Sequence, residues 1–336
     1  MSVHNEKEEH LRLAVESICN QTYENIEFII IDDASNDECK AIIASVIENN
    51  SKIKLLVNNE NIGLTASLNR GLACANGDYI ARMDADDYSA PDRIAKQVKF
   101  MNKRSDIDIC GTGVISFGDN YKFMSPHLGL ENNDAQCMLF YSSTLCHPSV
   151  MMKKTFLDKY HLKYDETVPK GQDYDMWERC SVYGKLAVMP DVLLYYRTHS
   201  SQISVKNLGE QEKYANMVRL RRLERIGIKP TEKERICHAA LMANISINIT
   251  QHEIKAWIQK MIAANKSIGF IDNKVLQKDL NNRYLLYRLR NRDYSVFFNI
   301  SYWSLLVKNI YIRISMEVYL LIFKQRIRKN VCNVNY

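Results

Sequence analysis

No stretch of about 18 uncharged apolar residues occurs in this chain, so no membrane-spanning helix is expected. The most apolar late stretch, 303–323, is interrupted by Lys308, Arg313 and Glu317. Met1 to His10 is polar, which excludes a secretory signal there. No Cys-x-x-Cys pair exists among the nine cysteines, and their scatter excludes a zinc or disulfide framework. They read as small buried hydrophobes in a reducing cytoplasm. Internal repeats and low-complexity tracts are also missing. No glycine-rich, cation-bearing phosphate loop follows an early strand, which counts against a nucleotidyltransferase. No nucleic-acid motif accompanies the basic residues.

What is present suffices for one large or two ordinary domains: 336 residues, 46% of them hydrophobic. The net charge of +6 is unevenly spread. Residues 1–205 hold 21 Lys and Arg against 29 Asp and Glu, whereas residues 206–336 hold 24 against 10. An acidic front and a basic back suggest a catalytic domain, 1–205, and a helical basic C-terminal region, 206–336, that meets an anionic surface.

The front half alternates strand and helix patterns. Leu11, Ala14, Val15 and Ile18 form a helical stripe. Phe28 to Ile31 is an apolar run suited to a central parallel strand, closed by Asp32 and Asp33. Ser35 to Glu38 fits a capping box ahead of a helix. Lys52 to Val57 reads as a strand, and Leu64, Leu68 and Leu72 as a helix stopped by Asn76-Gly77. A short covered strand, Asp78 to Met83, then meets Asp84, Asp86 and Asp87. Pro91 fits the first turn of the next helix, and 107–113 and 147–152 read as strands. The alternation predicts an α/β fold with a mostly parallel, Rossmann-like sheet flanked by helices. Ligands of such sheets bind beyond the carboxyl ends of the strands. Asp32 and the 84–87 cluster both lie at such ends. Clustered carboxylates stay ionised in water or around a cation, and Mg²⁺ or Mn²⁺ prefers hard oxygen ligands. A bare Asp-x-Asp also fits a charged surface turn.

In this order the motifs resemble family 2 glycosyltransferases of the GT-A fold. The matching segments are 17–25, 28–37, 61–63, 68–71, 77–87, 91–94, 147–150, 172–177 and 196–204. The resemblance covers roughly residues 1–205. It implies inverting transfer of a sugar from a nucleotide-sugar, here of the UDP class, to a saccharide or lipid-linked saccharide acceptor. Asp86 matches the metal ligand and Asp84 its partner beside the ribose. Asp32 matches the contact to the pyrimidine base. Ser2, His4 and Arg70 fall on the donor side, and His199 on the metal or diphosphate side. Asp173 matches the base that deprotonates the acceptor. The implied cofactor is Mn²⁺ or Mg²⁺, and the implied setting is surface polysaccharide assembly.

Two positions depart from the family pattern. Met1 falls at the end of the usual first strand, with His4 where a Tyr is usual, so that strand is expected to be missing or truncated and the start placed late. Gln172 stands where a Glu usually precedes the base. Simpler roles compete with the functional ones: a helix cap for Asp173, a strand-end cap for Asp32, a loop position for His199. His147, Trp177 and Cys146 read as structural. The competing functions are a metal-dependent sugar nucleotidyltransferase and a non-catalytic nucleotide-sugar binder. The segment 310–323 followed by Lys324, Arg326, Arg328 and Lys329 suggests peripheral contact with the inner face of the cell membrane.

Overall fold

The computed structural model of the protein describes residues 1–48, 50, 52–118, 129–198, 208–242 and 249–293. The chain forms two compact units, Met1–Arg222 and Leu223–Tyr336.

The first unit opens with β1 (Ser2–Val3), α1 (Glu8–Cys19), β2 (Phe28–Asp32), α2 (Asp37–Ile47), β3 (Ile53–Val57) and α3 (Gly63–Cys74). A short first strand is therefore present. β1, β2 and β3 form a parallel three-stranded sheet in that order. The helical stripe of α1 is buried as its spacing predicts, with Leu11 and Ala14 fully enclosed. The N-cap of α2 is Asn36 rather than Ser35. The Asn36 side chain accepts from the Cys39 amide, while the Ser35 hydroxyl accepts from the Asn5 amide. Ser35 is thus spent on tying β1 to the helix start.

The second sheet has the order β4-β7-β6-β8-β5. Its strands are β4 (Tyr79–Ala81), β5 (Tyr88–Ser89), β6 (Ile109–Gly118), β7 (Met151–Lys153) and β8 (Leu186–Thr198). The long β6–β8 ladder is parallel, while β5 and β7 enter antiparallel. Between these strands lie α4 (Arg93–Lys103), α5 (Asn132–Met138), α6 (Lys154–Lys159) and α7 (Gln172–Cys180). Pro91 precedes α4 instead of lying in its first turn. The expected strand over 147–152 starts late: His147–Ser149 is a 3₁₀ turn, and only Met151–Lys153 pairs. Pro148 lacks an N–H to give to a ladder, which suits it to the turn. Nor is the 78–83 strand covered as its apolar residues suggest: Tyr79 and Ile80 are half-buried and Ala81 is exposed.

α8 spans Leu208–Arg225, and its residues up to Arg222 belong to this unit. Arg219 donates to the Tyr141 carbonyl at 2.8 Å and Arg222 to the Gln136 carbonyl at 2.9 Å, which holds the helix to residues 136–141. This unit runs to Arg222.

The second unit contains α9 (Glu232–Met242), α10 (Gln251–Ile268) and α11 (Asn273–Arg290). Thr250 and Glu253 form a reciprocal capping box on α10, and Gly269 ends that helix with a positive φ of 72°. Ile254, Trp257, Leu276 and Leu280 fill its core. No helix among the described residues is long and apolar enough to cross a membrane. The basic 310–329 segment lies outside them.

Candidate active site

Three of the anticipated acids meet where β4 ends. One carboxylate oxygen from each of Asp84, Asp86 and Asp87 lies within 4.8 Å of the others. The loop that holds them is fixed from beneath by Arg93, which is fully buried. It donates to the Arg82 carbonyl at 2.7 Å and to Gln97 at 3.0 Å. From the side, Arg197 donates its amide to Asp87 Oδ1 and its Nε to the Asp86 carbonyl, both at 2.8 Å. The Arg197 guanidinium also stacks 4.5 Å over the Phe117 ring. The acidic loop is thus pinned through the Arg82 and Asp86 carbonyls and the Asp87 side chain, with its carboxylates gathered.

Asp87 is completely buried, and its Oδ2 has no hydrogen-bond partner. Burial, then the charges of Asp84 and Asp86, hold its carboxyl well above the usual aspartate range. A buried carboxylate oxygen with no donor, beside two further carboxylates, has the chemistry of a divalent-cation site. Asp84 is also ion-paired to the buried Arg82. Arg82 spreads further: its charge acts on Asp87, Asp173, His147 and Tyr164 as well.

Asp173 stands at the second position of α7, after Gly171, which holds φ at +74°. That left-handed residue turns the chain sharply into the helix, at little cost for glycine. The half-buried Asp173 carboxylate accepts from the Ser143 hydroxyl at 3.1 Å. Burial raises its pKa, against hydrogen bonds from the Tyr174 amide and Ser143 and the charge of Arg82. Cys146 connects the two acidic groups: Asp87, Asp173 and Asp84 all push its thiol up, after burial. The base candidate and the acidic loop therefore share one electrostatic neighbourhood.

The opposite face of α7 is locked. Asp175 and Glu178 are fully buried, and Arg221 of α8 donates to both at 2.7 Å. Arg179 adds a bond to Asp175 at 2.8 Å. Trp177 is fully buried, and His147 lies edge-on to it at 6.0 Å, with Tyr164 hydroxyl 2.8 Å from its Nε2. Burial holds the His147 imidazole well below its usual pKa. Both residues are buried in the core of the unit.

A second group forms at the ends of β1, β2 and β3. Asp32 is buried and caps the strand end, its Oδ1 accepting the Ser35 amide at 2.9 Å. Its neighbour Asp33 accepts from Asn58 at 2.7 Å and from the Ile62 and Gly63 amides at 2.9 Å each. Gly63 has φ +84°, a conformation that lets this amide turn toward Asp33. His4 donates from Nδ1 to the Asp33 carbonyl at 2.8 Å and accepts from Asn61 at 3.0 Å. Arg70 is exposed and donates to the Val57 carbonyl at 2.7 Å and to Asn58. Ser2 pairs with Ile31 in the sheet. His199 lies outside the described residues. Arg82, Arg93, Arg197 and Ser143 were assigned no role from sequence. The three arginines do fall in the matched segments, which is the only signal that could have flagged them.

A profile of "Glycosyl transferase family 2" matches residues 1–160. An uncharacterized glycosyltransferase of Methanocaldococcus jannaschii is 34% identical over 220 residues, 64% of this chain and 75% of that one. The amylovoran biosynthesis glycosyltransferase AmsE of Erwinia amylovora is 28% identical, over 59% of this chain and 74% of its own. Among solved structures, TarS 1–349 of S. aureus in complex with UDP-GlcNAc shares the fold with a TM-score of 0.58 at 14% identity, covering 86% of this chain and 90% of that one. The mannosyltransferase PcManGT of Pyrobaculum calidifontis, in complex with GDP-Man and Mn²⁺, gives 0.54 at 16% identity, over 95% and 85%. With its α/β core, its gathered acids and these relatives, the chain belongs to glycosyl transferase family 2 and is a glycosyltransferase.

Proposed function

We propose that the protein moves a hexosyl or N-acetylhexosaminyl group from a UDP-sugar to a saccharide or lipid-linked saccharide acceptor, with inversion, in surface polysaccharide assembly. The observation that carries this reading is the gathering of Asp84, Asp86 and Asp87 at a strand end, with a buried, unpartnered oxygen on Asp87. The residues fit a divalent ion, Mn²⁺ or Mg²⁺, held chiefly by Asp86 with Asp84 beside it; His199 is assigned to the metal side from the sequence alone. Such an ion supplies charge neutralisation for a departing diphosphate. Asp32, Ser2, His4 and Arg70 are assigned to the donor side, with Asp32 toward the base. Asp173 accepts the acceptor hydroxyl proton while that oxygen bonds to the anomeric carbon and the carbon–phosphate oxygen bond breaks. Its raised pKa makes it a stronger base than an ordinary aspartate.

AmsE, named for amylovoran biosynthesis, supports the polysaccharide setting, and the nucleotide-sugars held by the structural neighbours support the donor class. The basic C-terminal region is assigned to peripheral contact with the inner membrane face, bringing a lipid-linked acceptor within reach. Titration calorimetry with UDP-, GDP- and dTDP-sugars, with and without Mn²⁺, combined with product detection, tests the whole reading. Metal-dependent binding of one donor class and a transferred sugar support it. Metal-independent binding without transfer favours a binder, and nucleotide transfer favours a nucleotidyltransferase.

A further inference from the structure

Asp173 does not stand alone at the start of α7. Its Oδ2 lies 3.1 Å from the hydroxyl of Ser143, and that hydroxyl is also 3.1 Å from the Leu145 carbonyl. A serine hydroxyl carries one proton, so it donates to one of these two acceptors at a time. We propose that Ser143 is the positioning residue of the base: it donates to the Asp173 carboxylate while that group is ionised, and turns its proton to the Leu145 carbonyl once Asp173 is protonated. This role rests on the reading of Asp173 as the base.

Ser143 is held from both sides. Before it, the Tyr141 and Ser142 amides donate to the Met138 carbonyl at 2.8 and 3.1 Å, which extends the turn at the end of α5. After it, the buried Thr144 hydroxyl donates to the Ala135 carbonyl at 3.1 Å. Leu145 packs in one core cluster with Tyr174 and Trp177 of α7. The Tyr174 hydroxyl, from the residue next to Asp173, donates to the Leu139 carbonyl at 2.6 Å. The 139–145 segment and the start of α7 are therefore fixed to one another around Ser143 and Asp173. A hydroxyl on such a frame meets its carboxylate with little further loss of freedom. Ser143 is half-buried, and a bond there is electrostatically stronger than one in water.

Both states of the base find a partner in this arrangement. The ionised carboxylate accepts the Ser143 proton at Oδ2. When the proton of the attacking hydroxyl resides on Oδ2, Ser143 keeps its own proton, rotates it to Leu145 and offers its oxygen to the new O–H. No proton passes through Ser143. The charge-assisted bond of the ionised state is roughly twice as strong as the neutral one. Ser143 thus favours the ionised state and works against the upward push of burial on Asp173. The other groups facing Asp173 among the described residues are Arg82 just past β4, Cys146, Tyr164 and the first amides of its own helix. Burial raises the Cys146 thiol and the Tyr164 hydroxyl above their ordinary values, so both are uncharged near neutral pH. Arg82 is the charged member of this set, and it is unaltered by a change at Ser143.

The test titrates Asp173 directly in the full chain labelled with ¹³C at the aspartate carboxyl carbon, where the NMR signal lost in Asp173→Asn identifies the residue. Ser143→Ala removes the donor and should raise the Asp173 midpoint by about half to one pH unit. Ser143→Thr keeps the hydroxyl and should restore the wild-type midpoint. With the donor identified by calorimetry, the acidic limb of turnover should move to higher pH by the same amount in Ser143→Ala, with KM for that donor unchanged. An unmoved midpoint in Ser143→Ala, a Ser143→Thr midpoint equal to that of the alanine variant, or a moved midpoint with an unmoved limb would overturn the proposal. Any of these beside lost turnover in Asp173→Asn removes the role of Ser143 and leaves the base reading standing. Wild-type turnover in Asp173→Asn would end the base reading, and the role of Ser143 with it.

Discussion

Arg221→Met removes the link between α7, which carries Asp173, and α8. Asp175 and Glu178 are fully buried, and Arg221 donates to each at 2.7 Å. Taking one partner from a buried ion pair costs about 3–5 kcal/mol, because the remaining charge stays desolvated. Asp175 keeps Arg179 at 2.8 Å, and Glu178 keeps Arg222 at 3.9 Å. The lower end of that range, about 3 kcal/mol, therefore applies. For a unit of this size each kcal/mol shifts Tm by about 2–4 °C, giving a fall of roughly 6–12 °C. Pairing Arg221→Met with Glu178→Gln removes one stranded charge and should recover part of the loss. Calorimetric melting of the wild type, the single and the double variant measures this. A single variant melting within about 2 °C of wild type, or a double variant no more stable than the single, would refute the reasoning.

Asp86→Ala should abolish the Mn²⁺ dependence of UDP-sugar binding; an unchanged affinity difference with and without Mn²⁺ would show that another residue holds the ion. Asp33→Asn should lower stability by about 2–3 kcal/mol, since one of its three accepted bonds then meets an N–H instead of a carboxylate oxygen. Chemical denaturation reads this, and a midpoint equal to wild type would contradict it. The full-length chain should co-sediment with anionic liposomes in low salt, and a version ending near residue 300 should not. Binding that ignores lipid charge and salt would remove the membrane assignment.

Much of the first unit is legible as pattern. The α1 stripe and the β2 run announce their burial because one amphipathic period or one apolar run suffices. The Asp84-Ala-Asp86 spacing announces a gathering of oxygens. What pins the acidic loop does not announce itself: Arg93 and Arg197 act through backbone atoms that are distant in sequence. β7 starts later than the 147–152 run suggests because Pro148 converts half of that apolar run into a 3₁₀ turn. Ser35 and Asn36 are equally good caps in isolation, and only the tertiary bond from Asn5 to Ser35 decides between them. β4 has the residues of a covered strand, yet its cover is incomplete. Asp173's identity as a helix-start acid could be read, but its shared field with Asp84 and Asp87 required the folded chain.

Turnover of Asp173→Asn, beside its donor affinity, tests the central claim most directly. The isosteric amide keeps the shape of the site but takes no proton. Because the wild-type pKa is raised, wild-type turnover should fall on acidification at a pH above the ordinary aspartate value, and this limb should vanish in the variant. The account predicts kcat lower by roughly 10²–10⁴ with donor affinity nearly unchanged. Wild-type turnover in the variant, with its acidic limb intact, would contradict it.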